Sequence, residues 1–231
     1  MPERAAPDTV PPLTVFYGGT FDPVHHGHLA IARHARDALQ AVIRLMPAAD
    51  PPHRAAPGAS AVHRAQMLDL ATAGERGLKV DRRELHRGSR SYSIDTLSGI
   101  RAELGADAPV ALLIGADSLL DLPNWKDWQA LFELTHFVVA ARPGIALDER
   151  LPEPLEAFVR GRWVDTAHAL CAVPAGRLLR LQQPLHTGSA TDVRHRVAES
   201  LPWHDRVPPA VAAYIERHKL YGAGASRPAP L

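Results

Sequence analysis

Short apolar runs rich in strand formers alternate with segments of helical period along most of this chain, and that alternation restricts its fold more than any other feature. Residues 13–17 read as a strand that runs into a Gly turn. Ile31, Ala35, Ala38, Leu39 and Val42 then share one helical face. Residues 42–46 read as a second strand, closed by Pro47, and a Pro-rich loop (ADPPHRAAPG) leads to a helix at 61–73 that breaks at Gly74. A short strand is expected at 78–81, and Ser93 is placed to cap a helix whose apolar face is Ile94, Leu97, Ile100 and Leu104. Residues 110–114 are wholly apolar, the pattern of a strand buried on both faces. Asn124 is expected to cap a helix running through Leu134, with strands at 137–141 and 178–181 and helices at 191–201 and 209–220. The stretch 144–177 reads as loop-rich. Such alternation implies an α/β fold: a Rossmann-like, doubly wound, mostly parallel sheet with helices on both faces and right-handed crossovers. Ligands in these sheets bind beyond the carboxyl ends of the strands. The loops at 18–28, 47–58, 115–126 and 186–194 are therefore expected to meet at one crevice.

Composition narrows the class. The chain has 231 residues, enough to bury a core without disulfides, and its 26 Lys and Arg against 25 Asp and Glu leave a net charge of +1. That balance gives no reason to expect nucleic acid or an anionic membrane as partner. The single cysteine, Cys171, excludes an internal disulfide and a Cys-based zinc cluster, and fits a cytoplasmic protein. No apolar run approaches the roughly 18–20 residues of a membrane span, and the first twelve residues hold no apolar signal segment. Residues 1–12 and 222–231, rich in Pro, Ala and Gly, read as disordered tails. Between them lies one domain, 13–221, whose last part, about 189–221, is helical. A homo-oligomer is left open.

The strongest local signal is the segment YGGTFDPVHHGHL at 17–29, which leaves a strand and enters a helix. Gly18 and Gly19 let the backbone turn and approach a ligand closely, with Thr20 and Phe21 beside them. The helix that follows offers unpaired N–H groups and a positive dipole end to an anion. His25 and His28 are three apart and share the first turn, so both rings can serve that anion, and Gly27 between them is expected to leave room for it. A β–α turn with helix-capping histidines is the plainer alternative, and zinc held by His25, His26 and His28 is a third. Neither a GxGxxG nor a GxxxxGK(S/T) motif is present in this loop.

GGTFDPVHHGHL resembles the HxGH signature loop of the nucleotidyltransferase superfamily, with His25, Gly27 and His28 matching H-x-G-H. Within that superfamily the chain is most similar to the bacterial nicotinate-nucleotide adenylyltransferases. The match runs in order through PPHR at 51–54, HRAQML at 63–68, RREL at 82–85, SYS at 91–93, IGADSL at 114–119, NW at 124–125, ARP at 141–143, SATDVR at 189–194 and a final helix ending in LY.

Several of these motifs have a chemistry of their own. Ser189 and Thr191 offer hydroxyl and backbone donors near a helix start, and Arg194 suits bidentate phosphate contact, although a capped helix with a surface arginine has the same pattern. SATDVR resembles the family's second signature, S-(S/T)-T-x-x-R, which implies a triphosphate site; His186, Thr187 and Gly188 stand where the family has an apolar strand end. His53 and Arg54 put two cations on a Pro-stiffened loop, able to close over phosphates or simply to be solvated. Trp125 is either a core aromatic or, at a loop edge beside Asn124, a platform; the resemblance implies that it stacks on a pyridine ring, with Tyr92 and Ser93 lining the same pocket around a carboxylate. Asp117 follows an apolar strand and can accept ribose hydroxyls or cap a helix, and Arg142 is a further candidate for the crevice.

The resemblance implies adenylyl transfer from ATP to nicotinate mononucleotide, with His25, His28 and Arg194 as the catalytic set and Mg²⁺ arriving with ATP. Other transferases of the same fold, acting on phosphopantetheine, a flavin precursor or with a cytidylyl donor, share the first loop. A nucleotide sensor without turnover is the remaining alternative. A nucleic-acid module would need a basic aromatic stripe that is absent from the sequence.

Overall fold

The computed structural model describes residues 12–49, 58–87, 91–141, 151–182 and 188–224. Strand β1 (Thr14–Gly19) lies inside a parallel sheet, with Val15 opposite both Ile43 of β2 (Ile43–Pro47) and Ala111 of β4 (Val110–Gly115). With β3 (Leu78–Val80), β5 (His136–Ala141), β6 (Trp163–Val164) and β7 (Leu178–Gln182), seven strands stand in the order β3-β2-β1-β4-β5-β7-β6, every pair parallel. The chain winds outward from β1 to β3, then returns past β1 to begin β4. The loops leaving β1 and β4 therefore part from each other, and a crevice opens between them.

Alternation within the strands builds two cores. Val15 and Tyr17 of β1, Ala111 and Leu113 of β4, and Val138 and Ala140 of β5 face helices α1 (His26–Leu39), α2 (Ala61–Thr72), α8 (Ala190–Ala198) and α9 (Pro209–Arg217). Phe16, Leu112, Ile114, Phe137 and Val139 face α3 (Ser93–Leu104), α4 (Ala116–Leu120), α5 (Leu131–Leu134) and α6 (Glu153–Val159). Helix α7 (Ala167–Cys171) adds Leu170 to the first core. Because both faces are covered, the central strands carry almost no polar residues.

Three sequence-level expectations need correction. The loop-rich stretch holds α6, β6 and α7 within its described part. Its prolines open α6 rather than interrupt it, since Pro152 is the N-cap and Pro154 sits in the first turn, where no N–H is needed. Asn124 starts no helix. It ends a 3-10 turn, Leu122–Asn124, and Asp127 at φ 50° breaks the chain before α5, which spans only Leu131–Leu134. Ser93 is the first residue of α3 rather than its cap; Tyr92 holds that position and no side chain caps the helix.

Described residues extend past 221, with Ala223 only 7% exposed against the first core. The segments 1–11 and 225–231, together with His53, Arg54, Arg142, His186 and Thr187, lie outside the described residues. No helix among the described residues is long and apolar enough to cross a membrane.

Candidate active site

Two helix N-termini meet beside the crevice. Helix α1 begins at His25, whose Nδ1 accepts the His28 N–H at 3.4 Å while His28 Nδ1 accepts the His25 N–H at 3.4 Å. This reciprocal capping stacks the two rings at 3.7 Å with 25° between their planes. An Nδ1 that accepts a hydrogen bond carries no proton, so the neutral rings hold theirs on Nε2. That leaves Nε2–H as the ring group able to donate. In this arrangement Nδ1 accepts a backbone N–H and Nε2 carries the proton, so neither nitrogen presents a lone pair to a metal, which argues against zinc on His25 and His28.

Helix α8 begins beside them. A Cβ on Gly188 would lie 2.8 Å from His25 Nδ1 and 3.1 Å from Gly27 N, and a Cβ on Gly27 would lie 2.9 Å from His25 Cε1. Gly27 thus makes room for the His25 ring and for Gly188, not for a ligand. The same contact explains the glycine at 188: the backbone there runs against the first loop, and any side chain would separate the two helix starts. Ser189 caps α8 by accepting the Asp192 N–H at 3.4 Å. Arg194, one turn on, donates to the Asp22 carbonyl at 2.6 Å and to Thr191 Oγ1 at 3.4 Å. The structure therefore brings His25, His28, Ser189, Thr191 and Arg194 together.

On the other side of the Gly18–Thr20 segment lies a cavity of about 280 Å³. Tyr92, Ser93, Asp117 and Trp125 line it with Gly18, Gly19 and Thr20, as do Glu84, Ser91 and Lys126. Asp117 stands in the first turn of α4, behind Gly115 as N-cap, and is exposed. Trp125 is part-buried at the exit of the 3-10 turn, where its N–H donates to Leu122 O at 2.9 Å. Phe21 departs from expectation. Its side chain is 1% exposed, packed under Gly19 and against His28 with ring centroids 5.0 Å apart, so only its backbone could face a phosphate.

Comparison with known proteins gives the family. A cytidylyltransferase-like family model matches residues 16–196. A Stenotrophomonas maltophilia protein named "Probable nicotinate-nucleotide adenylyltransferase" is 55% identical over 214 residues, covering 90% of this chain and 96% of that protein. A Xylella fastidiosa protein of the same name is 50% identical over 217 residues, covering 92% of this chain and 98% of its own. The chain belongs to the nicotinate-nucleotide adenylyltransferase family. Its fold is also that of "Plasmodium falciparum nicotinic acid mononucleotide adenylyltransferase complexed with NaAD", at a TM-score of 0.67 and 15% identity, with 93% of this chain and 99% of that chain covered.

Three buried charged residues that fix these loops lie inside quoted motifs, but the motifs do not mark their role. Asp22, 4% exposed, accepts the Gly58 N–H at 2.7 Å, the Ala59 N–H at 3.1 Å and the Tyr221 hydroxyl at 2.7 Å. Arg64 is wholly buried and donates to Thr20 O at 2.6 Å, Ala59 O at 3.1 Å and Ala49 O at 3.1 Å. Glu84 was visible only as part of RREL. It is 5% exposed and accepts Thr96 Oγ1–H at 2.8 Å. Ser91 also donates to it and accepts the Ala49 N–H at 3.1 Å, so this carboxyl group fixes the wall that carries Tyr92 and Ser93. In the sequence Glu84 is one acid among Arg82, Arg83, His86 and Arg87, which reads as a solvated charged turn; its burial and its partners are set by the fold.

Burial raises the Glu84 carboxyl above its ordinary range, against the hydrogen bonds from Thr96 and Ser91 and the charge of Arg87. A raised folded-state value means that the folded protein holds the proton more tightly. The associated stability is full below the unfolded value of 4.5 and is lost as pH rises through the folded value. The melting-temperature difference between wild type and Glu84→Gln is therefore expected to decline as pH rises from 4.5, and then to level off. A difference independent of pH would show that burial does not govern this group.

Proposed function

We propose that this chain transfers the adenylyl group of ATP to nicotinate mononucleotide, releasing pyrophosphate and forming nicotinate adenine dinucleotide, a step of NAD biosynthesis. The observation that carries the assignment is the meeting of the α1 and α8 N-termini, Gly27 against Gly188, with the stacked histidines and Arg194 at that point. This is a concentration of anion donors next to a cavity lined by Tyr92 and Trp125. It suits two phosphorylated substrates, one of which carries an aromatic ring.

Gly18, Gly19, Thr20, the backbone of Phe21, Ser189, Thr191 and Arg194 are assigned to the ATP phosphates. His53 and Arg54 join them on the family resemblance. Tyr92, Ser93 and Trp125 are assigned to the pyridine mononucleotide, and Asp117 and Arg142 to ribose hydroxyls. A phosphate oxygen of the mononucleotide forms a bond to the α-phosphorus of ATP, and the bond from that phosphorus to the β-phosphate bridging oxygen breaks. The nucleophile is already anionic, so no general base is required. The work of the protein is to hold two anions together and to stabilise the charge that spreads over the transferring phosphoryl oxygens. Nε2–H of His25 and His28, the Arg194 guanidinium and the helix N-termini are the groups for that task.

Among the described residues no three His, Cys, Asp or Glu side chains cluster as a metal cage. Mg²⁺ is assigned to ATP as part of that substrate, where it would neutralise phosphate charge. The cytoplasm is the proposed compartment, in keeping with a chain whose single Cys171 cannot form an internal disulfide.

The test is pyrophosphate release from ATP and Mg²⁺, with nicotinate mononucleotide and its amide compared side by side. Release with the acid, and much less with the amide, is expected; release with neither would overturn the assignment. In the same assay His28→Ala is expected to lower kcat by about 10²–10³, the usual effect of removing a transition-state donor. Wild-type turnover by the folded variant would remove His28 from the mechanism.

A further inference from the structure

The acid and amide mononucleotides differ at one end of the pyridine ring, a carboxylate against a neutral amide. A single backbone N–H or hydroxyl donates to either, because an amide carbonyl also accepts, but a second N–H aimed at the other oxygen would meet the amide NH2 and favour the acid. A full positive charge near that end of the ring adds to that preference.

Among the described residues that line the cavity, Lys126 is the only basic side chain, while Glu84, Asp117 and Asp121 are acidic. Without Lys126 the cavity wall would disfavour a carboxylate. Lys126 follows Trp125 directly, and its Nζ lies 5.0 Å from the centroid of the Tyr92 ring. The ammonium thus sits against the ring of Tyr92, one of the two aromatic side chains assigned above to the pyridine. Its other neighbour is Asp95, with Nζ 3.9 Å from Oδ1. Both side chains are about half exposed, at 50% and 45%, and an ion pair so solvated holds its partners weakly. Contact with the Tyr92 face costs the ammonium little of its attraction for an anion, and limits the directions in which it can swing.

We propose that Lys126 is a specificity-determining residue, whose ammonium pairs with the pyridine carboxylate and selects the acid mononucleotide over its amide. The proposal rests on the adenylyltransferase reading above and adds the residue that sets its substrate preference. A lysine on a flexible stem supplies a point charge that needs no fixed geometry, so arginine in its place would keep part of the effect.

The experiment compares kcat/KM for the acid and for the amide, at saturating MgATP, in wild type, Lys126→Met and Lys126→Arg. Lys126→Met keeps the stem and removes the charge at a half-exposed position, so the fold is expected to survive. The expected result is a fall of about 10–100-fold for the acid, the range that one added or lost charge contact commands at a partly solvated site. The amide is expected to change by less than about threefold over the same substitution, because the neutral group loses no ion pair. The KM for ATP should not move, and Lys126→Arg should keep part of the preference. An unchanged acid-to-amide ratio in Lys126→Met, or an equal loss for both substrates, would overturn the proposal while leaving the adenylyltransferase reading intact. A wild-type protein that turns over neither mononucleotide would overturn both.

Discussion

The Asp22 carboxylate is the interaction on which the site depends. It is 4% exposed and receives donors from Gly58, Ala59 and Tyr221, residues 36, 37 and 199 positions away, while its own carbonyl receives Arg194, 172 positions away. A buried carboxylate deprived of even one donor loses about 1–3 kcal/mol. Each partner is thereby held to the loop between β1 and α1. Burial, together with the adjacent Asp22, pushes the Tyr221 hydroxyl well above its ordinary value, so it stays protonated and remains a donor. From the other side Arg64 pins the same loop by its Thr20 carbonyl, and ties in Ala49 and Ala59. With both ends of the loop fixed, Phe21 is held at φ 51°, a left-handed conformation rare for a bulky residue, and its ring supports Gly19 from beneath.

From that clasp the chemistry follows. Arg194 can take its place because α8 starts against α1, and α8 can start there because positions 27 and 188 are glycines. The capping pair of His25 and His28 then serves two ends at once. It satisfies backbone N–H groups that would otherwise be unpaired, and it sets the ring tautomer that donates through Nε2. Glu84 does comparable work on the far wall. It holds Ser91 and Thr96, and with them the entry to α3 that bears Tyr92 and Ser93. The groups assigned to phosphate and to pyridine therefore stand on two rigid walls, each fixed by one buried carboxyl group.

Much of this could be read in the sequence, for reasons that differ between elements. Strands β1, β4 and β5 were legible because a strand covered on both faces must be apolar throughout, and few other contexts produce such runs. The loop at 17–29 was legible because its glycines and histidines are dear to any fold that does not use them. The order of motifs carried the family. What stayed hidden was set at long range. Asp22 in the sequence is one aspartate before a proline, and nothing local tells that Tyr221 will reach it. Gly27 was expected to make room for a ligand, and instead it admits the His25 ring, because the approach of Gly188 depends on tertiary packing. Asn124 was expected to cap a helix through Leu134, where there is only a 3-10 turn and the four residues of α5, since the break at Asp127 uses a residue that tolerates positive φ without demanding it. Strand β6 has two residues at the sheet edge, too few to show any period.

The central claim is that the protein orders two phosphates for direct reaction and lends no nucleophile of its own. Stereochemistry at the transferred phosphorus tests it most directly. Turnover of ATP bearing a chiral α-phosphorothioate, followed by configurational analysis of the dinucleotide, distinguishes one displacement from two. Inversion is the predicted result, as a single in-line attack requires. Net retention would mean that a side chain such as His28 carries the adenylyl group between two displacements, and would contradict the account.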